Sequence, residues 1–377
     1  MKFIHISDLH IGKRVHEYSM IEDQKFILNK IIEILKSEAP CELIIAGDVY
    51  DKAVPSAEAV ELFDSFLTCV RSLGIECFII SGNHDSPERL SFGRSIMSPS
   101  GIHISPVYSG VCEPIVRSDE YGNVNIYLLP FIKPSAVRRF FDAEIESYTD
   151  ALRAAIEAMN INKNERNILV THQFVTGARR SESEEISVGG SDNIDADVFF
   201  DFDYVALGHI HSPQRAGADN IRYSGTPIKY SFSEVRDTKS ITVVEMSEKG
   251  KIGIREIPLS PLRDMKEIRG KYNDIMLKSF WENSTYRDDY MHITLTDEED
   301  IPDAISKLRS VYKNLMKLDY DNERTRHNCC VEAVENIEKK SPLELFSELF
   351  ELQNNRKMTD EESEIILSLL ERAEEVD

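Results

Sequence analysis

The chain has 377 residues, enough for two domains or for one large domain with an appendage, and 41% of them are hydrophobic. The net charge of −22 excludes a protein that coats nucleic acid by charge alone, because phosphate neutralisation requires lysine and arginine. The six cysteines form no C-x-x-C pair and no zinc-ligand spacing, and no apolar run approaches the length of a membrane span. We therefore expect a cytoplasmic protein with reduced thiols and no membrane partner.

Short apolar runs bounded by turn residues recur in the first two-thirds of the chain and predict buried strands. These runs are Phe3–Ile6, Leu43–Ala46, Cys77–Ile80, Asn125–Phe131, Asn167–Val170 and Tyr204–Leu207. Between them, Ile21–Lys36 and Ala57–Leu73 carry apolar residues at helical spacing. Strands that alternate with helices predict an α/β sheet covered on both faces.

The pattern changes after about Leu259, where Pro258 and Pro261 bracket a linker. A strand near Tyr290–Leu295, a helix from Pro302 and a strand near Leu315–Leu318 then predict a small α+β capping domain. The resulting division is 1–260 for the main domain, 261–335 for the cap and 336–377 for a C-terminal segment.

Two helices are predicted in the C-terminal segment. Ser341-Pro342-Leu343-Glu344 and Thr359-Asp360-Glu361-Glu362 are both capping boxes, and an amphipathic pattern follows each. The first helix places Phe346, Leu349 and Phe350 on its apolar side. This helical hairpin either packs on its own domain or docks on a partner, and the residues alone do not decide between the two.

Five short polar motifs each follow one of the predicted strands. They are Asp8-Leu9-His10, Gly47-Asp48-Val49-Tyr50-Asp51, Gly82-Asn83-His84-Asp85, His172 and Gly208-His209-Ile210-His211. In an α/β sheet, ligands gather outside the carboxyl ends of the strands, so these loops are expected to meet.

Carboxylate oxygens, imidazole nitrogens and an amide oxygen suit divalent metals of intermediate hardness, and one carboxylate is able to bridge two of them. Each motif alone occurs by chance, and a lone histidine is more often a satisfied polar residue than a ligand. All five in order, each behind a strand, favour a paired metal site that attracts a phosphodiester. The chain contains no G-x-x-x-x-G-K-[ST], so any ATP dependence must come from a partner.

The motifs D-x-H, GD-x-x-D, GNHD, H and GH-x-H resemble those of the calcineurin-like metallophosphoesterases. The resemblance implies a four-layered α/β sandwich in which one metal is held by Asp8, His10, Asp48 and His211. Asp48 would bridge to a second metal that is completed by Asn83, His172 and His209. His84 would stabilise or protonate the leaving oxygen, with Asp85 orienting it.

Longer stretches, including Ile4–Lys13, Gly47–Ser56, Gly82–Arg89 and Asp288–Arg309, resemble the bacterial SbcD nuclease family. That resemblance implies a Mn²⁺-dependent exonuclease on double-stranded DNA and endonuclease on single strands and hairpins, acting in repair and recombination. It also implies a homodimer within a heterotetramer, a coiled-coil SbcC-type ATPase partner and a cytoplasmic, nucleoid-associated location. Asp51 matches the bacterial branch, because archaeal and eukaryotic relatives carry histidine there.

The same resemblance makes the tail a partner-docking segment, with Phe346, Leu349 and Phe350 as candidate anchors. Arg89, Arg179 and Arg180 are candidate contacts to DNA phosphates near the metals. Each of them is equally well interpreted as a solvent-exposed charge that contacts no DNA. Two other functions stay open. One is a small-molecule phosphodiesterase or nucleotidase with the same metals, and the other is a non-catalytic scaffold that keeps the fold.

Overall fold

A computed structural model describes residues 1–142, 144–181, 184 and 192–322, together with residues 347, 350, 358, 359, 363 and 366. Most of the predicted C-terminal hairpin, including Phe346 and Leu349, lies outside these residues. The described residues form two compact units. The larger comprises Met1–Thr294 and Pro302–Asp319, and the smaller contains Leu295–Ile301 and resumes at Tyr320. The predicted domain boundaries at residues 260 and 335 stay a prediction.

The strands of the described residues, in chain order, are β1 Lys2–Ile6, β2 Arg14–Val15, β3 Tyr18–Ser19, β4 Glu42–Ala46, β5 Cys77–Ile80, β6 Ile102–Ile104, β7 Ile115–Asp119, β8 Gly122–Leu128, β9 Arg166–His172, β10 Phe174–Val175, β11 Asn193–Ile194, β12 Tyr204–Gly208, β13 Gln214–Ala216, β14 Ala218–Tyr223, β15 Ser240–Met246, β16 Ile252–Pro258, β17 Met265–Gly270, β18 Tyr290–Leu295 and β19 Asn314–Tyr320. All eight predicted strands are among them.

The α-helices of the same residues are α1 Ile21–Glu38, α2 Ala57–Ser72, α3 Pro87–Leu90, α4 Arg94–Met97, α5 Pro134–Val137, α6 Tyr148–Glu157, α7 Tyr272–Ile275, α8 Lys278–Trp281 and α9 Ala304–Arg309. Side-chain caps define where the longer ones begin. Ser56 accepts a hydrogen bond from the amide of Ala59 at the start of α2, and Ser147 with Asp150 forms a capping box at the start of α6. Among the described helices, none combines the length and apolar character needed to cross a membrane.

Two six-stranded sheets dominate the larger unit. The first has the order β16-β15-β1-β4-β5-β6, and β1, β4, β5 and β6 run parallel. The second has the order β13-β14-β12-β9-β8-β7, with β14, β12, β9 and β8 parallel and antiparallel strands at both edges. Strands β17, β18 and β19 form a separate three-stranded sheet, of which β17 was not predicted from the sequence.

The central strands of both sheets are buried on both faces, which explains why they are continuous apolar runs rather than alternating ones. Strand β4 shows the arrangement: Leu43 and Ile45 face the core under α1 and α2, whereas Ile44 and Ala46 face the other sheet. Ile168 and Val170 of β9 lie in that same intersheet core, and α6 covers the outer face of the second sheet. The result is an α/β fold of four layers, helix–sheet–sheet–helix, as predicted. The parallel strands of both sheets end at the same edge.

Candidate metal centre and active site

The five polar motifs come together where the parallel strands end. Asp8 and His10 follow β1, Asp48 follows β4, and Asn83 follows β5. His172 closes β9 in the second sheet, and the Gly208–His211 loop follows β12. Amide–carbonyl contacts tie the loops directly: the amide of Asp8 donates to the carbonyl of Gly47 at 3.1 Å. The predicted convergence of loops from distant parts of the chain is therefore observed.

The loop backbones adopt conformations that L-residues rarely take. The φ angles of Asp8, His10, Asp48 and His209 are +53°, +44°, +48° and +102°, in the left-handed region or beyond it. Each such conformation costs on the order of 1–3 kcal/mol and persists only where the surrounding structure imposes it. Backbone strain is thus concentrated in the motifs that the sequence singled out.

Glycine allows the loops to approach each other closely. A Cβ on Gly82 would lie 2.1 Å from Oδ1 of Asp48, and one on Gly208 would lie 1.9 Å from the carbonyl oxygen of Ala46. Real Cβ atoms do not approach other atoms this closely, so any side chain at either position would separate the loops. The glycines before Asn83 and His209 are therefore required for the arrangement.

Nε2 of His172 faces a cluster of oxygen atoms. Its Nδ1 lies 2.9 Å from the carbonyl of Ala46, and since a carbonyl only accepts, Nδ1 carries the proton. Its Nε2 then faces Oδ2 of Asp48 at 3.2 Å and Oδ1 of Asn83 at 2.9 Å. A neutral imidazole nitrogen surrounded by acceptor oxygens is repelled by them unless a proton or a metal ion lies between.

A second group of donors surrounds His10. Its Nε2 lies 3.2 Å from Nε2 of His211 and 3.7 Å from Oδ2 of Asp48. Nδ1 of His211 lies 3.5 Å from a carboxylate oxygen of Glu234, which only accepts, so the lone pair of His211 is on the Nε2 that faces His10. Asp48 Oδ2 therefore stands between His10 and His172, as a bridging carboxylate would.

Asn83 and His209 complete the group of donors around His172. Oδ1 of Asn83 lies 3.0 Å from Nδ1 of His209, and the amide of His209 donates to the carboxylate of Asp8 at 3.0 Å. Nε2 of His209 and Nδ1 of His10 are buried and have no hydrogen-bond partner among the described residues. Three overlapping clusters of side chains with the spacing to hold a metal ion occur in the described residues: Asp8–His10–His211, His10–Asp48–His84 and Asp8–Asp48–His172. The nitrogen and oxygen donors fit a pair of divalent cations.

Burial and mutual charge shift the pKa values in this cluster. Burial opposes a charge on His172, but the Asp48 and Asp8 carboxylates outweigh it and raise the pKa of His172 to about 9. Burial also opposes a charge on Asp48, yet His172 and His10 hold the pKa of that carboxyl well below its usual value. Burial lowers the pKa of His209 to about 3, so that imidazole stays neutral. A deprotonated Asp48 and a neutral His209 are the states that bind cations.

His84 lies at the edge of this cluster and is half-buried. Its amide donates to Oδ1 of Asp48 at 2.9 Å, and its Nδ1 lies 3.1 Å from the carbonyl of Asp51. The resemblance had Asp85 orienting His84, but Asp85 accepts from the amides of Val49, Tyr50 and Gly82 instead. Asp85 joins the Asp48 loop to the Gly82 loop, and the contact to the His84 ring comes from Asp51.

Three residues around His211 were not singled out from the sequence. The carboxylate of Glu184 accepts from the amide of His211 at 2.7 Å, and Glu234 faces Nδ1 of the same residue. Lys239, 4% exposed, pairs with Glu234 at 2.6 Å and donates to the carbonyl of His211 at 2.9 Å. No motif marks these residues, because each comes from a loop whose position depends on the fold.

The three candidate DNA-binding arginines differ in their surroundings. Arg89 and Arg179 are exposed. Arg180 is half-buried: its guanidinium lies over the ring of Phe174 at 3.5 Å and pairs with Asp192 at 2.7 Å. Of the candidate partner-docking residues, Phe350 alone is described, and it is half-buried.

Comparison with known proteins supports the same family as the motifs. The family model described as calcineurin-like phosphoesterase matches residues 1–213, and the model described as Type 5 capsule protein repressor C-terminal domain matches residues 261–354. A similar protein, the SbcD subunit of the SbcCD nuclease from Staphylococcus epidermidis, is 35% identical over 323 residues, covering 84% of this chain and 85% of the relative. A solved structure covers 68% of this chain and 98% of its own at 13% identity, with a TM-score of 0.39, which is too low to carry an argument.

Proposed function

The chain belongs to the calcineurin-like phosphoesterases and, among them, to the SbcD nucleases, and on this premise we propose that it is the metal-dependent DNA nuclease subunit of an SbcCD complex. Its activities are exonucleolytic cleavage of double-stranded DNA and endonucleolytic cleavage of single strands and hairpins, in repair and recombination. The single observation that carries the proposal is the cluster of imidazole and carboxylate donors around Oδ2 of Asp48.

Seven side chains would hold two divalent cations in this proposal. Asp8, His10, Asp48 and His211 bind one of them; Asp48 also binds the other, together with Asn83, His172 and His209. The lone pair on Nε2 of His211, 3.2 Å from Nε2 of His10, supports the ligand set of the first cation, and the contacts of Asn83 Oδ1 support that of the second. We propose Mn²⁺ as the metal on the strength of the resemblance to the SbcD nucleases.

When bound, such a pair of cations supplies Lewis-acid polarisation of the phosphodiester and activates water. The protein's own part in bond cleavage falls to His84. Because its Nδ1 donates to the carbonyl of Asp51, proton exchange is left to Nε2. As the attacking water loses one proton to bulk solvent and adds to phosphorus, the opposite P–O bond breaks and the leaving oxygen takes the Nε2 proton of His84. Asp85 acts through the backbone, by holding the Asp48 and Gly82 loops together.

The proposed partners are DNA and an SbcC-type coiled-coil ATPase. Residues 336–377 form the docking segment, with Phe346, Leu349 and Phe350 as its apolar anchors, while residues 1–260 carry the chemistry and 261–335 form the cap. A homodimer inside a heterotetramer is supported by two exposed apolar side chains four residues apart, Phe92 and Ile96, which are 84% and 81% exposed. The complex would act in the cytoplasm, at the nucleoid.

Arg89 and Arg179 are the proposed contacts to DNA phosphates, because their side chains are exposed near the metal loops. Arg180 is already paired with Asp192 and stacked on Phe174, so its proposed part is to support the loop beside His209.

The test is manganese-dependent digestion of end-labelled duplex and hairpin DNA, with and without the ATPase. Asp48→Asn serves as the metal-site control and should be inactive. Much faster cleavage of a cyclic or small nucleotide diester than of DNA would make the chain a small-molecule phosphodiesterase. Absence of any cleavage by a protein that binds two metals would make it a scaffold.

A further inference from the structure

A cavity of about 730 Å³ lies beside the proposed active site. Strand β6 ends at Ile104, and the segment that follows it forms one side of the cavity. The other sides are formed by α4, by Leu128 at the end of β8 and by Pro130 just after it. Because β6 pairs in parallel with β5, its carboxyl end lies at the same sheet edge as Asn83 and His84. Neighbouring strands are about 4.8 Å apart, so the cavity begins one strand beyond the loop that carries His84.

Two hydroxyl groups in the lining are buried and unpartnered. Ser105 is 2% exposed, and its Oγ has no hydrogen-bond partner among the described residues. The hydroxyl of Tyr108 is also buried and has no hydrogen-bond partner among the described residues. The Tyr108 ring packs edge-on against Phe140, with 5.9 Å between the ring centroids. A buried polar group left unsatisfied costs about 1–3 kcal/mol, so these hydroxyls favour an occupant that forms hydrogen bonds.

The remaining lining combines apolar walls with charged groups at exposed positions. Ile104, Ile115 and Leu128 supply aliphatic surface. Arg94 is exposed, and its guanidinium has no ion-pair partner within the described ranges. The exposed carboxylate of Glu113 offers an acceptor for an amino group. An occupant with a flat apolar body, polar edges and one anionic group matches this set.

We propose that the cavity binds one unpaired nucleotide, whose base lies between the aliphatic walls and whose phosphate pairs with Arg94. In the nuclease this would be a nucleotide next to the one being cut, lifted out of the duplex. This part of the inference rests on the proposed function. Recognition of a single nucleoside monophosphate by the cavity does not.

Binding of deoxyadenosine monophosphate to the full-length chain in EDTA, measured by isothermal titration calorimetry, tests the proposal without the metals. Tyr108→Phe removes one hydroxyl and should weaken binding about 5-fold, the equivalent of one hydrogen bond. Arg94→Gln should weaken it about 10-fold and abolish the preference for the monophosphate over deoxyadenosine. Tyr121→Phe and Arg215→Gln alter an exposed tyrosine and an exposed arginine outside the cavity, and should change nothing.

The outcomes separate this inference from the proposed function. Absence of nucleotide binding in EDTA, or binding that both cavity variants leave unchanged, overturns the inference while DNA cleavage in Mn²⁺ is unaffected. Nucleotide binding that Tyr108→Phe and Arg94→Gln weaken supports it. If the same protein then cleaves no DNA, the proposed function falls and the nucleotide site stands. Thermal unfolding of each variant verifies that it is folded.

Discussion

The main-chain carbonyl of Asp51 lies 3.1 Å from Nδ1 of His84, so the orientation of the proposed acid depends on backbone and not on a side chain. The carboxylate of Asp51 is engaged elsewhere, with the amine of Lys13 at 2.7 Å. A carbonyl only accepts, so it holds a proton on Nδ1 of His84 and leaves Nε2 for proton exchange.

His84→Gln should abolish DNA cleavage and leave metal binding intact. General acid catalysis contributes about 10²–10⁴-fold, and glutamine does not transfer the proton. Asp51→Asn is the matched control, since it retains the carbonyl, and it should lower the rate only a few-fold. Metal content by elemental analysis accompanies the cleavage assay. Loss of a metal ion from the His84→Gln protein would instead make His84 a ligand.

Gly82→Ala should remove metal binding without unfolding the protein. The added methyl group would meet the carboxylate and the amide of Asp48 at 2.1 and 2.5 Å, so the Asp48 loop has to move. Gly253→Ala is the control, because its Cβ would have 4.0 Å to the nearest atom and its φ is ordinary. Manganese titration by calorimetry distinguishes them. Equal affinity in the two variants would contradict the close packing of the loops.

The fold was largely predictable because its strands are short apolar runs with turn residues at both ends. Leu43–Ala46 was predicted and Glu42–Ala46 is observed, and Asp48 follows directly. Since parallel strands deliver their following loops to one edge, order along the chain was sufficient to predict that Asp8, Asp48 and His172 meet.

The supporting residues were not predictable in the same way. Glu234 and Glu184 reach His211 from loops 23 and 27 residues away in sequence, and neither has a spacing that indicates metal chemistry. The part played by Asp85 was also inaccessible, because it depends on which backbone amides face the carboxylate. Unlike helix caps, hydrogen bonds from a side chain to backbone amides of a distant loop have no local residue pattern.

Glu234→Gln should weaken binding of one of the two metals by about 10–100-fold, the usual effect of losing the carboxylate behind a histidine ligand. Burial opposes the charge of Glu234, but Lys239 and His211 hold its pKa well below the usual value, so it is ionised. Metal stoichiometry and affinity by calorimetry are the measurements. Two sites of unchanged affinity would show that Glu234 does not orient His211.

Lys239→Met should destabilise the fold by about 3–5 kcal/mol, because it leaves the buried Glu234 charge uncompensated. Lys251→Met breaks an exposed pair with Glu248 and should cost less than about 1 kcal/mol. Urea unfolding of both variants gives the comparison. Similar losses in the two would mean that the Glu234–Lys239 pair is not the buried interaction the geometry indicates.

Deletion of residues 341–377 should abolish capture of the coiled-coil ATPase while manganese-dependent cleavage of a small phosphodiester continues. The metal loops lie between residues 8 and 211, far from the deleted segment in sequence. The double substitution Phe346→Asp and Leu349→Asp in the full chain should have the same effect, by removing apolar anchors. Co-purification measures capture, and undiminished capture by the truncated protein would contradict the docking assignment.

Stability should fall as pH rises from about 5 to 8, partly through Glu42. Burial, assisted by the nearby Glu76 carboxylate, raises the pKa of Glu42 to about 7, and its Oε2 has no partner among the described residues. The folded protein therefore keeps the proton of Glu42 up to about pH 7, whereas the unfolded chain, in which the pKa of Glu42 is about 4.5, has already released it. The stabilisation that this bound proton provides is complete below the pKa of Glu42 in the unfolded chain and is lost as the pH passes 7.

Glu42→Gln should raise the free energy of unfolding at pH 8 by about 1–3 kcal/mol and flatten its pH dependence, as measured by urea unfolding at pH 5 and 8. An unchanged slope would mean that Glu42 is ionised in the folded protein.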